Sequence, residues 1–130
     1  MEKQLQQSKE FNEAYECTTQ ESPQFPQKDI QKLQEKLIAE ELEEFRQANE
    51  TGNLVEATDA LVDLLYVVYG AAISYGLENV LEAAFDEVHE SNMSKLDADG
   101  NPILREDGKI LKGENYFPPY LESIIEKHKG

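Results

Sequence analysis

The sequence predicts an all-α domain, and three observations lead to that prediction. Apolar residues recur at helical spacing in three long segments, 28–49, 54–75 and 78–96. Gly52 and Gly76 stand at the breaks between these segments, where glycine readily ends a helix. The Asp-Gly turn between two short apolar runs in residues 97–112 indicates only a hairpin. We therefore expect a helical bundle with a short hairpin-like flap near the carboxyl terminus.

The length and the charge limit the classes of function. A chain of 130 residues predicts one domain over residues 1–130, with a single core and one site. The net charge is −15, from 27 acidic against 12 basic residues, so the surface repels phosphate backbones. We therefore expect no nucleic-acid polymer as a partner. The same excess of carboxylates suits a hard divalent cation that bridges the protein to an anionic substrate.

The chain carries one cysteine, Cys17, and no apolar leader at its start. A single cysteine excludes an intrachain disulfide and gives no support to a thiolate zinc site, so a cytoplasmic setting is expected. The longest apolar stretch, Leu64 to Ile73, is about half of the ~20 residues that a membrane span requires. We therefore expect no membrane insertion.

The first main helix follows a peripheral helix over residues 2–16 and a proline-containing linker over 18–27. Residues 28–49 carry an apolar stripe that includes Leu33 and Leu37. Glu41 falls within that stripe, Glu44 lies in it as well, and Glu40 sits at its edge. Three acids are thus predicted where core side chains would be expected.

The second main helix, residues 54–75, is apolar around most of its circumference, which predicts a central and enclosed helix. Its acids, Glu56, Asp59 and Asp63, share one stripe. An unpaired buried carboxylate costs several kcal/mol, and the stripe offers no Lys or Arg. A bound cation is the simplest way to stabilise facing acids on the two helices.

The third main helix is predicted to bury an apolar face that includes Phe85, and Asn92 and Lys95 continue that face beyond its last apolar residue. An amide and an ammonium group at this end are suited to receive phosphate oxygens. A short helix over 119–128 is predicted to close the chain.

Each of these side chains also has a simpler explanation. The acids of the first two helices are also consistent with a solvated face or a solvent channel, although acids on facing stripes favour the cation. Lys95 is more often a helix carboxyl-terminal charge that offsets the macrodipole, and Asn92 more often a surface amide.

Four segments together resemble the all-α NTP pyrophosphatase superfamily, the MazG-like group that includes phosphoribosyl-ATP pyrophosphohydrolases and dimeric dUTPases. The segments are Phe11-Asn12-Glu13-Ala14-Tyr15, the paired-Glu helix around Glu40-Glu41-Leu42-Glu43-Glu44, the second acidic element from Glu56 to Tyr66, and Glu90 to Lys95. The resemblance covers nearly the whole chain.

The resemblance implies attack of water on the α-phosphoryl group of a nucleoside triphosphate, with release of pyrophosphate and with Mg²⁺, or Mn²⁺ in its place, as cofactor. It places the catalytic work on Glu40, Glu41 and Glu44. The metal ligands that it implies are Glu41, Glu44, Glu56, Asp59 and Asp63. Asn92 and Lys95 become substrate contacts. Glu56 and Asp59 satisfy the E-x-x-D spacing, yet Asp63 precedes Leu-Leu-Tyr, so either aspartate fits as the principal ligand.

Relatives of this kind form dimers or tetramers, so the resemblance also implies a homodimer or homotetramer. Two readings remain beside a house-cleaning pyrophosphohydrolase. One is a non-catalytic acidic helical module that binds a protein partner. The other, within the enzyme class, is a dedicated dUTPase-like or dCTPase-like enzyme or a phosphoribosyl-ATP pyrophosphohydrolase.

Overall fold

A computed structural model describes residues 1–129 and confirms the predicted all-α class with a short hairpin. The helices are α1 (Glu2–Ala14), α2 (Lys28–Thr51), α3 (Leu54–Ser74), α4 (Leu81–Met93) and α5 (Glu122–His128), and the hairpin strands are β1 (Ile103–Leu104) and β2 (Ile110–Leu111). The coordinates group into two compact units, residues 1–79 and 80–129, which are described separately below. A single functional domain over the whole chain stays a prediction.

The α2–α3 hairpin is the framework of the first unit. Gly52 adopts the left-handed conformation at φ 65° and ends α2, as its residue type predicts. Asn53 then caps α3, because its side-chain oxygen accepts a hydrogen bond from the backbone N–H of Glu56 at 3.1 Å. Such a short connection makes the two helices antiparallel neighbours. Positions late in α2 therefore face positions early in α3.

The linker between α1 and α2 is fixed to the carboxyl end of α3. The fully buried Ser74 donates its hydroxyl hydrogen to the carbonyl oxygen of Thr18 at 2.8 Å, and Gln20 donates to the Ser74 carbonyl oxygen at 2.7 Å. Gly76 follows at φ 70°, and a Cβ atom there would lie 1.9 Å from the carbonyl oxygen of Ser22. The chain therefore requires glycine at this position for both conformation and space.

Helix α1 contacts α3 through a polar side chain, and it contacts the turn after α3 through an ion pair. The side-chain nitrogen of the buried Asn12 donates to the carbonyl oxygen of Gly70 at 3.3 Å. Lys9 pairs with Glu78 at 2.9 Å, and this contact raises the pKa of Lys9. Leu5 is the buried apolar residue of this helix. The contact with α3 is thus made by specific polar groups as much as by apolar burial.

The prediction that α3 is enclosed is wrong for the single chain. Leu61, Val62 and Leu65 are about half exposed, and Leu54 is 80% exposed. By length and composition alone, α3 is long and apolar enough to cross a membrane. Only 22% of its apolar window is buried within the chain, whereas the core helix of a soluble protein would be mostly buried. Its apolar circumference therefore marks a surface that this chain leaves uncovered.

The second unit contains α4, the hairpin and α5. Phe85 was predicted to be buried, but it is 63% exposed. Helix α4 begins after a turn at residues 78–80, and α5 begins at Glu122, three residues after the predicted start at 119. Ile103 pairs with Leu111 and Leu104 with Ile110 in the antiparallel hairpin.

Candidate metal centre

Three carboxylates from two helices converge in the α2–α3 groove. Glu41 and Glu44 lie on α2 and Asp63 lies on α3, and one oxygen from each falls within 4.8 Å of the others. Glu41 and Asp63 are half-buried, whereas Glu44 is exposed to solvent. Oxygen ligands in such a group are what Mg²⁺ and similar cations require. The structure thus brings together three of the acids that helical periodicity singled out.

The electrostatics of this cluster disfavour three simultaneous charges. Burial contributes most to the raised pKa of Glu41, followed by a hydrogen bond with Glu44 and repulsion from Asp63, and together they bring it to about 7. Burial, followed by repulsion from Asp59 and Glu44, also raises the pKa of Asp63. Without a cation, the cluster therefore keeps a proton up to a higher pH than an isolated carboxylate would.

No basic side chain within residues 1–129 forms an ion pair with this cluster. Arg46, the nearest arginine along α2, pairs with Glu43 and Glu50 on the exposed face of the helix. Among buried side-chain nitrogen and oxygen atoms of the described residues, Glu41 Oε2 is the one without a hydrogen-bond partner. A buried lone pair without a donor beside two further carboxylates fits a divalent cation.

The other acids of the predicted site, Glu40 as a catalytic residue and Glu56 and Asp59 as metal ligands, lie outside this three-carboxylate group. Glu40 is exposed on α2. Glu56 and Asp59 are exposed on α3 and, with Glu44, line a neighbouring polar cavity of about 380 Å³. Asp59 still acts on the cluster, because its charge raises the pKa of both Glu41 and Asp63. Asp63, rather than Asp59, is the aspartate that joins the paired glutamates.

An apolar cavity of about 330 Å³ lies on the other side of the cluster. Leu37, one turn before Glu41 on α2, and Val67, one turn after Asp63 on α3, form the wall nearest the cluster. Phe11 and Tyr66 form an aromatic wall, with ring centroids 5.5 Å apart and nearly perpendicular planes. The carboxylates thus stand between an apolar cavity and an acidic one.

Two polar residues of the apolar cavity, Asn12 and Gln34, were absent from the predicted site. Asn12 is 6% exposed, and the nitrogen of Gln34 donates to the Ser74 hydroxyl at 3.4 Å. Asn12 lies inside the Phe11 to Tyr15 signature, and a polar residue on the buried face of that helix was the available signal. Gln34 gave no such signal, because glutamine is common on exposed helix faces.

Asn92 and Lys95, the predicted substrate contacts, belong to the second unit. Asn92 is exposed in the last turn of α4, and Lys95 is half-buried just after the helix. The Lys95 carbonyl oxygen accepts a hydrogen bond from Gly113 at 2.8 Å. Their role toward a nucleotide stays a prediction.

Comparison with known protein families identifies one match. Residues 8–92 match the family model described as phosphoribosyl-ATP pyrophosphohydrolase. The match covers well over half of the chain, from α1 to the end of α4, and includes the three clustered carboxylates. A search of curated proteins found no match.

Proposed function

The chain belongs to the phosphoribosyl-ATP pyrophosphohydrolase family and is a pyrophosphohydrolase, and on that premise we propose that it hydrolyses a nucleoside triphosphate to the monophosphate and pyrophosphate. Enzymes of this family typically depend on a divalent metal. The observation that carries the proposal is the unpaired cluster of Glu41, Glu44 and Asp63 within the matched segment. Both NTPs and dNTPs are included in the proposed substrate class.

Mg²⁺ is the proposed cofactor, with Mn²⁺ as a substitute, held by Glu41, Glu44 and Asp63. The fit rests on the buried, unpaired oxygen of Glu41 and on the absence of a basic partner among residues 1–129. When bound, such a cation neutralises phosphate charge and lowers the pKa of a coordinated water. Glu56 and Asp59 are proposed as supporting ligands because they line the adjoining polar cavity.

The reaction forms a bond between a water oxygen and the α-phosphorus and breaks the bond from that phosphorus to the bridging oxygen of the leaving pyrophosphate. Glu44 is the solvent-exposed member of the cluster, so its free oxygen is the proposed acceptor of the water proton. Glu40 is proposed to help orient that water. Asn92 and Lys95 are proposed to contact the nucleotide phosphates.

The product assay tests this proposal directly. Purified protein is incubated with Mg²⁺ and a panel of NTPs, dNTPs and phosphoribosyl-ATP, and pyrophosphate and orthophosphate are measured separately. The proposal requires pyrophosphate as the first product. A non-catalytic acidic module predicts no turnover with any nucleotide and no thermal shift with Mg²⁺, and family membership does not favour it. Dedicated use of dUTP, dCTP or phosphoribosyl-ATP would show as turnover of that compound alone.

A second copy of the chain is proposed to cover the exposed apolar surface of α3, giving a homodimer or homotetramer. Large exposed apolar surfaces usually mark interfaces. Lipid is disfavoured, because Asp63, near the middle of α3, would cost about 3 kcal/mol at the centre of a bilayer. Leu65→Lys should weaken assembly in sedimentation experiments, whereas Leu104→Lys, at a similarly exposed leucine of the hairpin, should not. A wild-type monomer would refute the proposal.

The proposed cellular role is house-cleaning of the nucleotide pool in the cytoplasm. The support is the proposed activity on free nucleotides together with the single free cysteine, Cys17, which is exposed and needs no oxidising compartment. The high negative charge also disfavours nucleic-acid polymers as partners.

A further inference from the structure

The apolar cavity beside the carboxylate cluster has the setting of a nucleobase site, an inference that rests on the proposed function. Its wall comes within one helical turn of Glu41 and Asp63, through Leu37 and Val67. No Lys or Arg lines it, and the carboxylate of Glu16 does, so it is unsuited to the phosphates themselves. A nucleotide whose phosphates lie at the cluster would therefore place its uncharged end in this cavity.

The rings that line the cavity leave apolar surface available to an occupant. Phe11 is 41% exposed and Tyr66 is 39% exposed, although their rings contact each other. Leu33, which also lines the cavity, is 47% exposed. Aromatic side chains bind bases by stacking, and such binding tolerates different bases because every base has a π-face. These walls therefore suit the faces of a base, whichever base it is.

Two amide side chains, those of Asn12 and Gln34, supply hydrogen-bonding groups to the cavity. The NH₂ end of Asn12 donates to the Gly70 carbonyl oxygen at 3.3 Å, and that of Gln34 donates to the Ser74 hydroxyl at 3.4 Å. Each of these contacts uses one of the two N–H groups of its amide. Within residues 1–129, each amide thus keeps a free N–H and a free oxygen. The cavity therefore offers donors and acceptors together.

We propose that this cavity binds nucleobases by their faces and tolerates both amino and keto bases. Cytosine and adenine present an amino group beside a ring nitrogen that accepts, whereas uracil and hypoxanthine present a carbonyl oxygen beside a ring N–H. An amide with a free N–H and a free oxygen completes a hydrogen bond with either pattern. A site rejects an analogue strongly only when the analogue leaves a buried polar group unpaired, and neither pattern does so here.

Matched substrate pairs, CTP with UTP and ATP with ITP, test the tolerance by kcat/KM for pyrophosphate release. We expect the two members of each pair to agree within about tenfold, whereas a site that reads one hydrogen-bonding group discriminates by about 10⁴-fold or more. Ribose 5-triphosphate, which lacks a base, should be poorer than any of the four by about tenfold or more. A difference above about tenfold within either pair, or a smaller loss for ribose 5-triphosphate, would overturn the inference.

Variants that remove a ring assign base binding to the aromatic wall. Phe11→Leu and Tyr66→Leu keep an apolar side chain but remove the stacking surface, so kcat/KM should fall by about fivefold or more for all four nucleotides alike. Phe25→Leu is the matched control, because Phe25 also contacts a tyrosine ring, that of Tyr75, but does not line the cavity. Its kcat/KM values should stay those of the wild type. Wild-type efficiency in both Phe11→Leu and Tyr66→Leu would refute the assignment.

Cys17 gives a measurement of base binding that needs no turnover. It is the single cysteine of the chain, it is exposed, and it lines the cavity, so a thiol reagent should label it in the free protein. With Mg²⁺, the α,β-methylene analogues of ATP, CTP and UTP at about ten times Kd should each slow that labelling by about tenfold. Tripolyphosphate, which carries no base, should leave the labelling rate unchanged. Equal protection by tripolyphosphate, or no protection by the analogues, would overturn the inference.

Pyrophosphate release separates the proposed function from base tolerance. If no nucleotide yields pyrophosphate, the proposed function is wrong and base tolerance fails with it. If nucleotides yield pyrophosphate but the members of a pair differ by more than about tenfold, the proposed function stands and base tolerance alone is wrong.

Discussion

Replacing Glu41 by Gln should stabilise the metal-free protein and remove its response to Mg²⁺. Glu41 shares the cluster with Glu44 and Asp63, and its buried Oε2 has no donor. The amide keeps the shape of the carboxyl group and removes one of three repelling charges. A glutamate with a purely structural role would give the opposite result, because its replacement would break a favourable contact.

The raised pKa of Glu41 gives the size of the stability gain expected for Glu41→Gln. Burial and the neighbouring carboxylates raise that pKa from 4.5 to about 7, which corresponds to about 3 kcal/mol of disfavoured ionisation. Solvent around the exposed Glu44 screens part of this repulsion, so we expect a gain of about 1 to 2 kcal/mol in the free energy of unfolding. In a chain of 130 residues that gain raises Tm by roughly 3 to 8 °C.

The pH dependence has a defined sign. The folded pKa of Glu41 lies above its unfolded value, so the protonated carboxyl group contributes stability below about pH 4.5, and this contribution is lost as the pH rises through about 7. Metal-free wild type should therefore lose stability between about pH 5 and pH 8. Glu41→Gln should lack that loss, and the two proteins should converge at about pH 5.

Thermal unfolding in EDTA and in Mg²⁺ at several pH values measures the gain in stability, its pH dependence and the response to Mg²⁺. Pyrophosphate release measures the activity. Wild type should gain stability with Mg²⁺ at about pH 8, whereas Glu41→Gln should not and should be inactive. Glu35→Gln, an exposed glutamate on the same helix, is the matched control and should behave as wild type. A lower Tm for Glu41→Gln in EDTA, with its Mg²⁺ response intact, would refute the reasoning.

Three further predictions follow from the same geometry. Asp63→Asn should remove the Mg²⁺-induced thermal shift, because Asp63 belongs to the three-carboxylate group. Asp59→Asn, outside that group, should only weaken metal affinity by about 10-fold to 100-fold. If Asp59→Asn removed the shift and Asp63→Asn only weakened it, Asp59 would be the ligand. Urea unfolding should show that Gly76→Ala lowers the free energy of unfolding by about 3 kcal/mol or more, since the new Cβ meets a backbone oxygen. Gly52→Ala, with open space at φ 65°, should lower it by only about 1 kcal/mol. Excess EDTA should abolish pyrophosphate release, and Mg²⁺ should restore it.

Helical periodicity predicted that α2 and α3 carry the candidate site, because both helices carry acids at positions where apolar residues recur. It placed Glu41 and Asp63 on facing stripes, and the structure brings their oxygens together with Glu44. Spacing alone could not separate Asp63 from Asp59. That distinction depends on the relative height of α2 and α3, which is set by the short connection at Gly52.

The polar lining of the apolar cavity could not be predicted from the sequence, because it depends on hydrogen-bond partners that no sequence pattern supplies. Asn12 and Gln34 are polar residues on helices, and most such residues contact water. Gly70 and Ser74, which lie 58 and 40 positions away along the chain, hold the two amides. Long-range partners of this kind become visible only once the helices are placed.

The exposure of α3 shows what an apolar pattern measures. Leu54, Leu61 and Leu65 indicate positions that avoid water, and the pattern carries no information about which molecule excludes it. The chain leaves these residues at least 47% exposed, and the proposed second copy of the chain would supply their cover. Asp63 on the same helix limits the choice, since a covering surface must leave that carboxylate open to a cation. A protein partner, which can cover one face of a helix and spare another, meets this requirement better than a surrounding bilayer does.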